Sequence, residues 1–212
     1  MDSKLRSNIV AFFEDKFQQH GATPKGVDWN SEVAQKNRFS WLLKSIGDID
    51  QSSSILDFGC GYGGFLPYLR QHSWTGEYVG YDITKPLISE ARRAYKNDPK
   101  ATFIDDAPIP KADILIACGI FSMKQSEQID TWEDHIKSTI LEISQLAKSH
   151  LAFNMLSSYS DADKKRPDLY YANPCYWFEF CKANISNLVA IHHDFSPWEF
   201  NLIIRRQKDA AT

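Results

Sequence analysis

Residues Ser54–Phe65 read S-I-L-D-F-G-C-G-Y-G-G-F and set the architecture of this chain. The apolar pair Ile55-Leu56 leads to an acid, Asp57, and four of the six positions 59–64 are glycine. This order predicts a buried strand that turns tightly into a helix, because glycine permits positive φ and lets a ligand lie against bare backbone. Backbone amides at the start of that helix are expected to face the ligand. The stretch therefore predicts a site for a nucleotide-like ligand.

Short apolar runs alternate with helix-compatible segments after this stretch. Strands are predicted over Ser54–Phe58, Tyr78–Tyr81, Ala101–Ile104, Asp113–Ala117 and His150–Met155. The helices between them are predicted over about Phe65–His72, Pro86–Lys96 and Trp132–Lys148. Alternating strands and helices are typical of a doubly wound parallel sheet.

Both ends of the chain depart from this alternation. Helices are predicted over Ser3–His20 and Glu32–Ile46, ahead of the first strand. A late helix is predicted over Pro174–Ala183. Two β-like runs, Asn187–Phe195 and Glu199–Arg206, are then joined only by S-P-W, a link that suits an antiparallel hairpin.

These elements predict one α/β domain with a doubly wound, seven-stranded, mostly parallel sheet. Residues 1–50 form an N-terminal helical cap of two helices, and residues 51–156 form the ligand-binding core. Residues 157–212 supply the late helix and an antiparallel C-terminal hairpin. The chain of 212 residues has the length of a single domain.

Composition narrows the class of protein. Hydrophobic residues make up 43% of the chain and charged residues 24%, as in soluble globular proteins. The net charge of −3 gives no basic footprint, so nucleic acid is not expected as a partner. No apolar run approaches the roughly 18 residues of a membrane span, and the charged segment Met1–Val10 does not resemble a signal peptide. Four cysteines without a C-x-x-C pair predict reduced thiols, a cytoplasmic location and no metal site.

Three ligands compete for the glycine turn. A dinucleotide requires G-x-G-x-x-G and a P-loop ends in G-K-[ST], whereas residues 59–64 give G-x-G-x-G-G without a lysine. The third candidate is S-adenosylmethionine. Asp57, just before the glycines, would repel a pyrophosphate but suits a cationic sulfonium ligand that also carries an ammonium group.

Acids at the next two strand ends favour this third ligand. Asp82 ends the second strand about 20 residues after the glycine turn, where a carboxylate accepts hydrogen bonds from ribose hydroxyls. Asp105 and Asp106 end the third strand, where an acid can accept the exocyclic amine of adenine. Open α/β sheets bind ligands at strand carboxyl ends near the topological switch point. Acids at three successive strand ends therefore predict one site for a cationic adenosyl ligand.

Four segments resemble the motifs of class I S-adenosylmethionine-dependent methyltransferases, in order and spacing, over about Ser53–Phe153. They are L-D-F-G-C-G-Y-G-G-F, Y-V-G-Y-D-I-T, T-F-I-D-D and A-D-I-L-I-A-C-G-I-F. The segment V-D-W-N-S…Q-K-N-R-F also resembles the N-terminal part of small bacterial methyltransferases. The resemblance implies a Rossmann-like fold, S-adenosylmethionine as the cofactor and methyl transfer as the activity.

The resemblance also implies cofactor contacts, which lie at the strand ends, in the glycine turn and in the N-terminal segment. They are Asp57, Gly59 and Gly61 for the methionine part, Asp82 for the ribose, Ile83 for adenine, Asp105 or Asp106 for the adenine amine, Cys118 beneath the ligand, Trp29 at the pocket and Arg38 for the methionine carboxylate. The terminal hairpin suits the antiparallel last strand of the same fold.

The acceptor side is less defined, because the sulfonium already activates the methyl carbon and the enzyme mainly supplies orientation. A base is needed only where the acceptor must lose a proton. Candidates for that role are His192, His193 and Tyr170. Neighbouring side chains of a strand point to opposite faces, so at most one of the two histidines faces a given pocket. Candidate substrate contacts are Phe121, Met123, Asn154, Tyr170 and Tyr171.

The predicted acceptor is a small molecule. The N/D-P-P-Y signature of amino and amide methylation is replaced by Ala117-Cys118-Gly119-Ile120, which favours oxygen over nitrogen as the methylated atom. Two alternatives stay open: methylation of a protein or RNA, and cofactor binding without catalysis. Either a monomer or a homodimer is expected. The run Asp161–Arg166 predicts a solvated loop, with a mobile lid or a contact to an anionic substrate as its alternative.

Overall fold

The computed structural model describes residues 3–106 and 108–206 of the chain. Seven strands form one sheet in the order β3-β2-β1-β4-β5-β7-β6. They are β1 (Ile55–Phe58), β2 (Tyr78–Tyr81), β3 (Ala101–Ile104), β4 (Ala112–Ala117), β5 (Ala147–Leu156), β6 (Leu188–His192) and β7 (Glu199–Arg205). The first five strands pair in parallel, and β7 runs antiparallel to both β5 and β6. The predicted doubly wound, mostly parallel sheet with an antiparallel end is confirmed.

Within the described residues, six α-helices pack on this sheet. They are α1 (Ser3–His20), α2 (Glu32–Ile46), α3 (Phe65–Gln71), α4 (Lys85–Ala94), α5 (Ile129–Ser144) and α6 (Pro174–Asn184). Ser31 caps α2, since its hydroxyl accepts a hydrogen bond from the Ala34 amide at 3.1 Å. The predicted end of α5 at Lys148 is wrong, because the chain already pairs as a strand from Ala147, opposite Ala112 of β4.

The sheet separates two buried clusters. Alternate residues of one strand face opposite ways, so Leu56 of β1 joins one cluster and its neighbour Ile55 joins the other. One cluster packs against α5 and α6, and the other against α2, α3 and α4.

Helix α1 covers part of the sheet near the β3–β4 connection. Residues 105–106 and 108–111, the described part of that connection, form no helix. Leu5 of α1 is buried in the same cluster as Leu56 of β1 and Leu115 of β4. The N-terminal helix therefore belongs to the core and reaches the cavity.

The terminal hairpin is shorter than predicted. Strand β6 ends at His192 instead of Phe195, and the chain crosses to β7 through residues 193–198. The Phe195 ring stacks on Trp41 of α2, with ring centroids 4.8 Å apart. This contact draws the residue out of the hairpin and onto the cap.

The described residues contain neither a candidate membrane-spanning helix nor a candidate metal-binding cluster. No helix within residues 3–106 and 108–206 is long and apolar enough to cross a membrane. The same residues hold no cluster of three His, Cys, Asp or Glu side chains placed to bind a metal ion. All four cysteines are free thiols, of which Cys60 and Cys181 are buried.

Candidate active site

A cavity of about 720 Å³ opens at the carboxyl edge of the sheet. Its floor comes from the glycine turn and the ends of β2, β4 and β5, and its roof from α1, residues 27–30 and α2. Residues after β5 and at the start of β7 close one side. Small-molecule sites typically enclose about 300–1,000 Å³. The cavity therefore has the size of a site for a cofactor together with a small second molecule.

The glycine turn uses its own amides to hold its shape. The amides of Gly59 and Cys60 both donate to the Tyr81 carbonyl, at 2.7 and 3.0 Å. The Gly61 amide donates to the Asp82 carboxylate at 2.9 Å, and the Gly63 amide donates to the Cys60 carbonyl at 3.0 Å. These four turn amides, which precede the start of α3, are therefore used inside the protein. They make no pyrophosphate cradle, which disfavours the dinucleotide alternative.

Asp82 stands at the end of β2 and connects two loops. Its Oδ1 accepts from the Thr84 amide at 2.8 Å, and its Oδ2 accepts from the Gly61 amide at 2.9 Å. Burial raises the pKa of this carboxyl, and the two backbone hydrogen bonds oppose that rise. Each carboxylate oxygen has a second lone pair. Asp82 can therefore accept hydroxyl donors from the cavity while keeping both loops in place.

Asp57 lies deeper in the floor, where only 3% of the residue is exposed. The Tyr78 hydroxyl donates to its Oδ2 at 2.6 Å. Burial raises the pKa of Asp57 to about 7, against the lowering effect of the Tyr78 hydrogen bond. The negative charge of Asp82 raises it further. A carboxyl in this state gains most from a cationic ligand, because the cation offsets the cost of a buried negative charge.

We expect binding of S-adenosylmethionine to strengthen with pH as Asp57 ionises. With a pKa of about 7, affinity should rise on the order of fivefold to tenfold between about pH 6 and pH 7.5. Calorimetric titration at several pH values measures this, and Asp57→Asn should flatten the profile. In the free protein the same raised pKa predicts lower stability as pH rises from about 4 to 7, because the folded state keeps a proton that the unfolded state has lost. An unaltered profile in Asp57→Asn would assign the pH dependence to another group.

Arg38 of α2 reaches across the roof to the start of β7. Its Nε donates to Oε2 of Glu199 at 2.7 Å, and its Nη2 donates to Oε1 of the same carboxylate. Its Nη1 donates to the Ala34 carbonyl at 3.2 Å. The guanidinium lies 4.5 Å from the centre of the Trp29 ring. The predicted cofactor-binding arginine is therefore already held by a buried carboxylate and an aromatic ring.

The contacts of Glu199 continue into the floor. Asn154 of β5 donates through Nδ2 to Oε2 of Glu199 at 3.3 Å, and its Oδ1 accepts from the Gly119 amide at 2.7 Å. Gly119 has φ +81°, and a Cβ there would lie 2.6 Å from the Trp29 ring. A closed ring of contacts thus joins the cap to β5, β7 and the loop after β4, and its members are Trp29, Arg38, Glu199, Asn154 and Gly119.

Most of the residues predicted from the sequence line this cavity. They are Trp29, Arg38, Asp57, Gly59, Gly61, Asp82, Ile83, Cys118, Met123, Asn154 and Tyr171. Burial raises the pKa of the Cys118 thiol, and the nearby Asp57 charge adds to that rise. Cys118 therefore stays a neutral thiol beneath the cavity.

Two predicted acceptor contacts are core residues instead. The Tyr170 hydroxyl donates to Glu133 at 2.7 Å and accepts from the Trp177 indole at 3.0 Å, so its hydrogen-bonding capacity is used inside the protein. Phe121 is 1% exposed and packs edge-on against Phe153, with ring centroids 5.3 Å apart. Neither residue lines the cavity. Both rings therefore belong to the core and do not reach an acceptor in the cavity.

The two histidine candidates also lie away from the cavity walls. His192 is the last residue of β6 and pairs with Asn201 of β7. His193 lies between the rings of Tyr159 and Phe200, with centroid distances of 6.1 and 5.9 Å. The interior strand β7 separates β6 from β5, so the end of β6 does not reach the floor of the cavity.

The two acids at the end of β3 do not line the cavity, although both were predicted as candidates for the adenine contact. Asp105 accepts a hydrogen bond from Arg92 at 2.8 Å and does not line the cavity. Asp106 is also absent from the cavity walls. An adenine contact from Asp106 therefore stays a prediction, while Asp105 is occupied as the partner of an arginine on α4.

Several wall residues have no counterpart in the sequence predictions. They are Arg6, Ile9 and Phe13 of α1, Gln35 of α2, Tyr62 of the glycine turn, His135, Thr139 and Glu142 of α5, and Trp198 and Glu199 near β7. Burial lowers the pKa of His135 to about 4, so this ring is neutral near pH 7. The four-residue spacing of His135 and Thr139 on an otherwise apolar helix face was a usable signal. Glu199 carried none, since its neighbours form an ordinary β-like run.

A Rossmann-like sheet with acids at the ends of β1 and β2, beside a glycine turn and a roofed cavity, defines the class of S-adenosylmethionine-dependent methyltransferases. A family model described as a methyltransferase domain matches residues 29–195. The protein Rv1506c of Mycobacterium tuberculosis, which is named as a methyltransferase, is 38% identical over 154 residues, or 72% of this chain and 93% of that one. This chain therefore belongs to the methyltransferase-domain family, and its cofactor is S-adenosylmethionine.

Solved structures share the fold at low sequence identity. Magnesium protoporphyrin IX methyltransferase from Synechocystis PCC 6803 superposes with a TM-score of 0.65 at 15% identity, over 97% of this chain and 99% of that one. The 1,6-didemethyltoxoflavin-N1-methyltransferase of Burkholderia thailandensis also has a TM-score of 0.65, at 14% identity and over 96% and 88% of the two chains. These likenesses show the fold.

Proposed function

We propose that this methyltransferase transfers the methyl group of S-adenosylmethionine to a small-molecule acceptor. The observation that carries the proposal is the extent of the cavity, which continues past the predicted cofactor residues. Beyond them it runs between Met123, Leu156, Tyr171 and Trp198. A roofed and largely apolar compartment favours a compact acceptor, because a macromolecular substrate needs an open surface.

The cofactor in this proposal lies along the strand ends from β2 to β4. Asp82 holds the ribose hydroxyls and Ile83 lies against adenine. Asp57 faces the cationic methionine end, and Gly59 allows close approach. The donor set fits this cofactor, since buried carboxylates favour a ligand with sulfonium and ammonium charges.

Methyl transfer in this cavity depends on how the acceptor is oriented toward the methyl carbon. S-adenosylmethionine supplies an activated methyl carbon when bound, and the walls hold the acceptor in line with it and exclude water. We propose oxygen as the methylated atom, supported by Ala117-Cys118-Gly119-Ile120 in the place of an amino-methylating motif. Isotope-edited NMR of the methylated product identifies that atom, and a methyl group on nitrogen would contradict this choice.

A transfer assay tests the substrate class. The protein is incubated with S-adenosylmethionine labelled in its methyl group and with separate pools of small molecules, peptides and RNA. We expect the label in the small-molecule pool only. Label in peptide or RNA would support the macromolecular alternative, and binding without transfer to any pool would support a non-catalytic role.

Trp198 is expected to determine acceptor affinity. About half of this residue is exposed at the mouth of the cavity, and its indole donates to Asp161 at 3.2 Å. Trp198→Ala should raise the KM for the acceptor by about 3- to 10-fold through lost aromatic contact, with unchanged cofactor affinity. Tyr159→Ala is the matched control, because Tyr159 is an exposed aromatic residue outside the cavity walls. An equal effect of both variants would remove Trp198 from the acceptor site.

A further inference from the structure

We infer that Glu199 is a positioning residue, which holds Arg38 in the orientation that binds the methionine carboxylate of the cofactor. The inference rests on the proposed contact between Arg38 and that carboxylate. Glu199 is the first residue of β7 and is 4% exposed. It lines the cavity beside Arg38, whose side chain is 17% exposed.

The strand order explains why an acid of β7 lies there. Parallel strands present their carboxyl ends at one edge of the sheet, whereas the antiparallel β7 presents its amino end at that edge. Glu199 pairs in register with Leu156, the last residue of β5. Polar groups thus follow the strand order along one edge, from Asp82 and Asp57 through Asn154 to Glu199. The row extends beyond the half assigned to the adenosyl group.

The hydrogen bonds of Arg38 leave room for a second carboxylate. A guanidinium has five N–H donors. Glu199 takes one at Nε and one at Nη2, and the Ala34 carbonyl takes one at Nη1. One N–H therefore stays on each terminal nitrogen. Arginine commonly recognises a carboxylate through two such donors.

The position of Glu199 is fixed by contacts other than those with Arg38. Its backbone belongs to the β5–β7 ladder, and Asn154 donates to its carboxylate from the neighbouring strand. The Trp29 ring fixes the plane of the guanidinium from one side, with its centre 4.5 Å away. Arg38 is therefore held in one orientation, and its hydrogen bonds to Glu199 do not have to break when the cofactor binds.

Two ligands separate this role from a purely structural one. S-adenosylmethionine and its decarboxylated form share the adenosyl group, the sulfonium and the amine, and differ in the carboxylate. We expect Glu199→Gln to weaken binding of S-adenosylmethionine by about tenfold and to change binding of the decarboxylated form by less than about twofold. Both affinities are measured by calorimetry on one preparation, so a fall in the folded fraction cancels in their ratio.

The control variant is Glu90→Gln, which removes a surface glutamate–arginine pair, Glu90 with Arg93, outside the cavity. Its ratio of affinities should equal that of the unaltered protein. An equal loss of both ligands in Glu199→Gln would reduce Glu199 to a structural role. Tighter binding of S-adenosylmethionine would show competition for Arg38 and would also overturn the inference.

Arg38→Gln separates the inference from the proposed contact on which it rests. This variant should lower the same ratio at least as much as Glu199→Gln does. An unchanged ratio in Arg38→Gln would contradict the carboxylate contact itself. A lowered ratio in Arg38→Gln with an unchanged one in Glu199→Gln would overturn only the positioning role. Should Glu199→Gln not fold, Glu199→Asp replaces it, with a smaller fall expected and an unchanged ratio as the contrary result.

Discussion

Replacing Asp82 by alanine is expected to weaken binding of S-adenosylmethionine by about 1–3 kcal/mol, a factor of roughly 5 to 150. The variant removes the carboxylate that we assign to the ribose hydroxyls. It also leaves the amides of Gly61 and Thr84 without the acceptor that holds them at 2.9 and 2.8 Å. Calorimetry measures the affinity, and the cofactor-induced rise in Tm should shrink in parallel.

Two further variants divide this effect into its parts. Asp82→Asn keeps one acceptor oxygen but loses the charge, so its loss of affinity should fall between those of the alanine variant and the unaltered protein. Asp98→Asn is the control for a lost carboxylate, because Asp98 pairs with Arg70 outside the cavity. Full affinity in Asp82→Ala would mean that the ribose lies elsewhere.

The sheet and the cofactor half of the site could be predicted because local sequence dictates them. The glycine turn after β1 requires positive φ at Gly59, Gly61 and Gly63, with observed values of 82°, 56° and 79°. Residues other than glycine rarely adopt such φ values, so the glycines in the sequence mark the positions of this turn. Asp57 and Asp82 end the apolar runs that become β1 and β2, and parallel pairing brings them to one edge of the sheet.

Contacts between distant segments could not be predicted from the sequence, on either the cofactor side or the acceptor side of the site. Arg38 and Glu199 are 161 positions apart and meet only through the packing of α2 on β5 and β7. Tyr170 looks like a polar contact in the sequence, but Glu133 and Trp177 satisfy its hydroxyl in the core. No local pattern reports such pairings.

The N-terminal helix α1 was predicted from the sequence, but its place at the cavity wall was not. A helix was predicted over Ser3–His20, and the structure contains it over the same residues. Its role as a wall of the cavity depends on tertiary packing, which buries Leu5 in the same cluster as Leu56 of β1 and places Ile9 and Phe13 at the cavity. The family match begins only at residue 29 and ends at residue 195. Both α1 and Glu199 lie outside the matched residues.

Replacing Gly59 by alanine is expected to cost about 2–5 kcal/mol of folding stability. A non-glycine residue at φ +82° costs about 1–2 kcal/mol. The new Cβ would also lie 2.3 Å from Cγ2 of Ile120, and such overpacking typically adds about 1–3 kcal/mol. For a domain of this size the sum corresponds to a fall in Tm of about 4–20 °C. Thermal unfolding measures it.

Gly21→Ala separates the two contributions, because Gly21 has φ +64° and nothing within 4 Å of a built Cβ. It should show the backbone cost alone. Adding Ile120→Ala to Gly59→Ala should relieve the steric part, so that the double variant loses less stability than the two single losses combined. Ile120 also lines the cavity, so its displacement in Gly59→Ala should weaken cofactor binding in the protein that still folds. A loss no larger than that of Gly21→Ala would show that the β1 turn does not lie against Ile120, and that the floor of the site has a different shape.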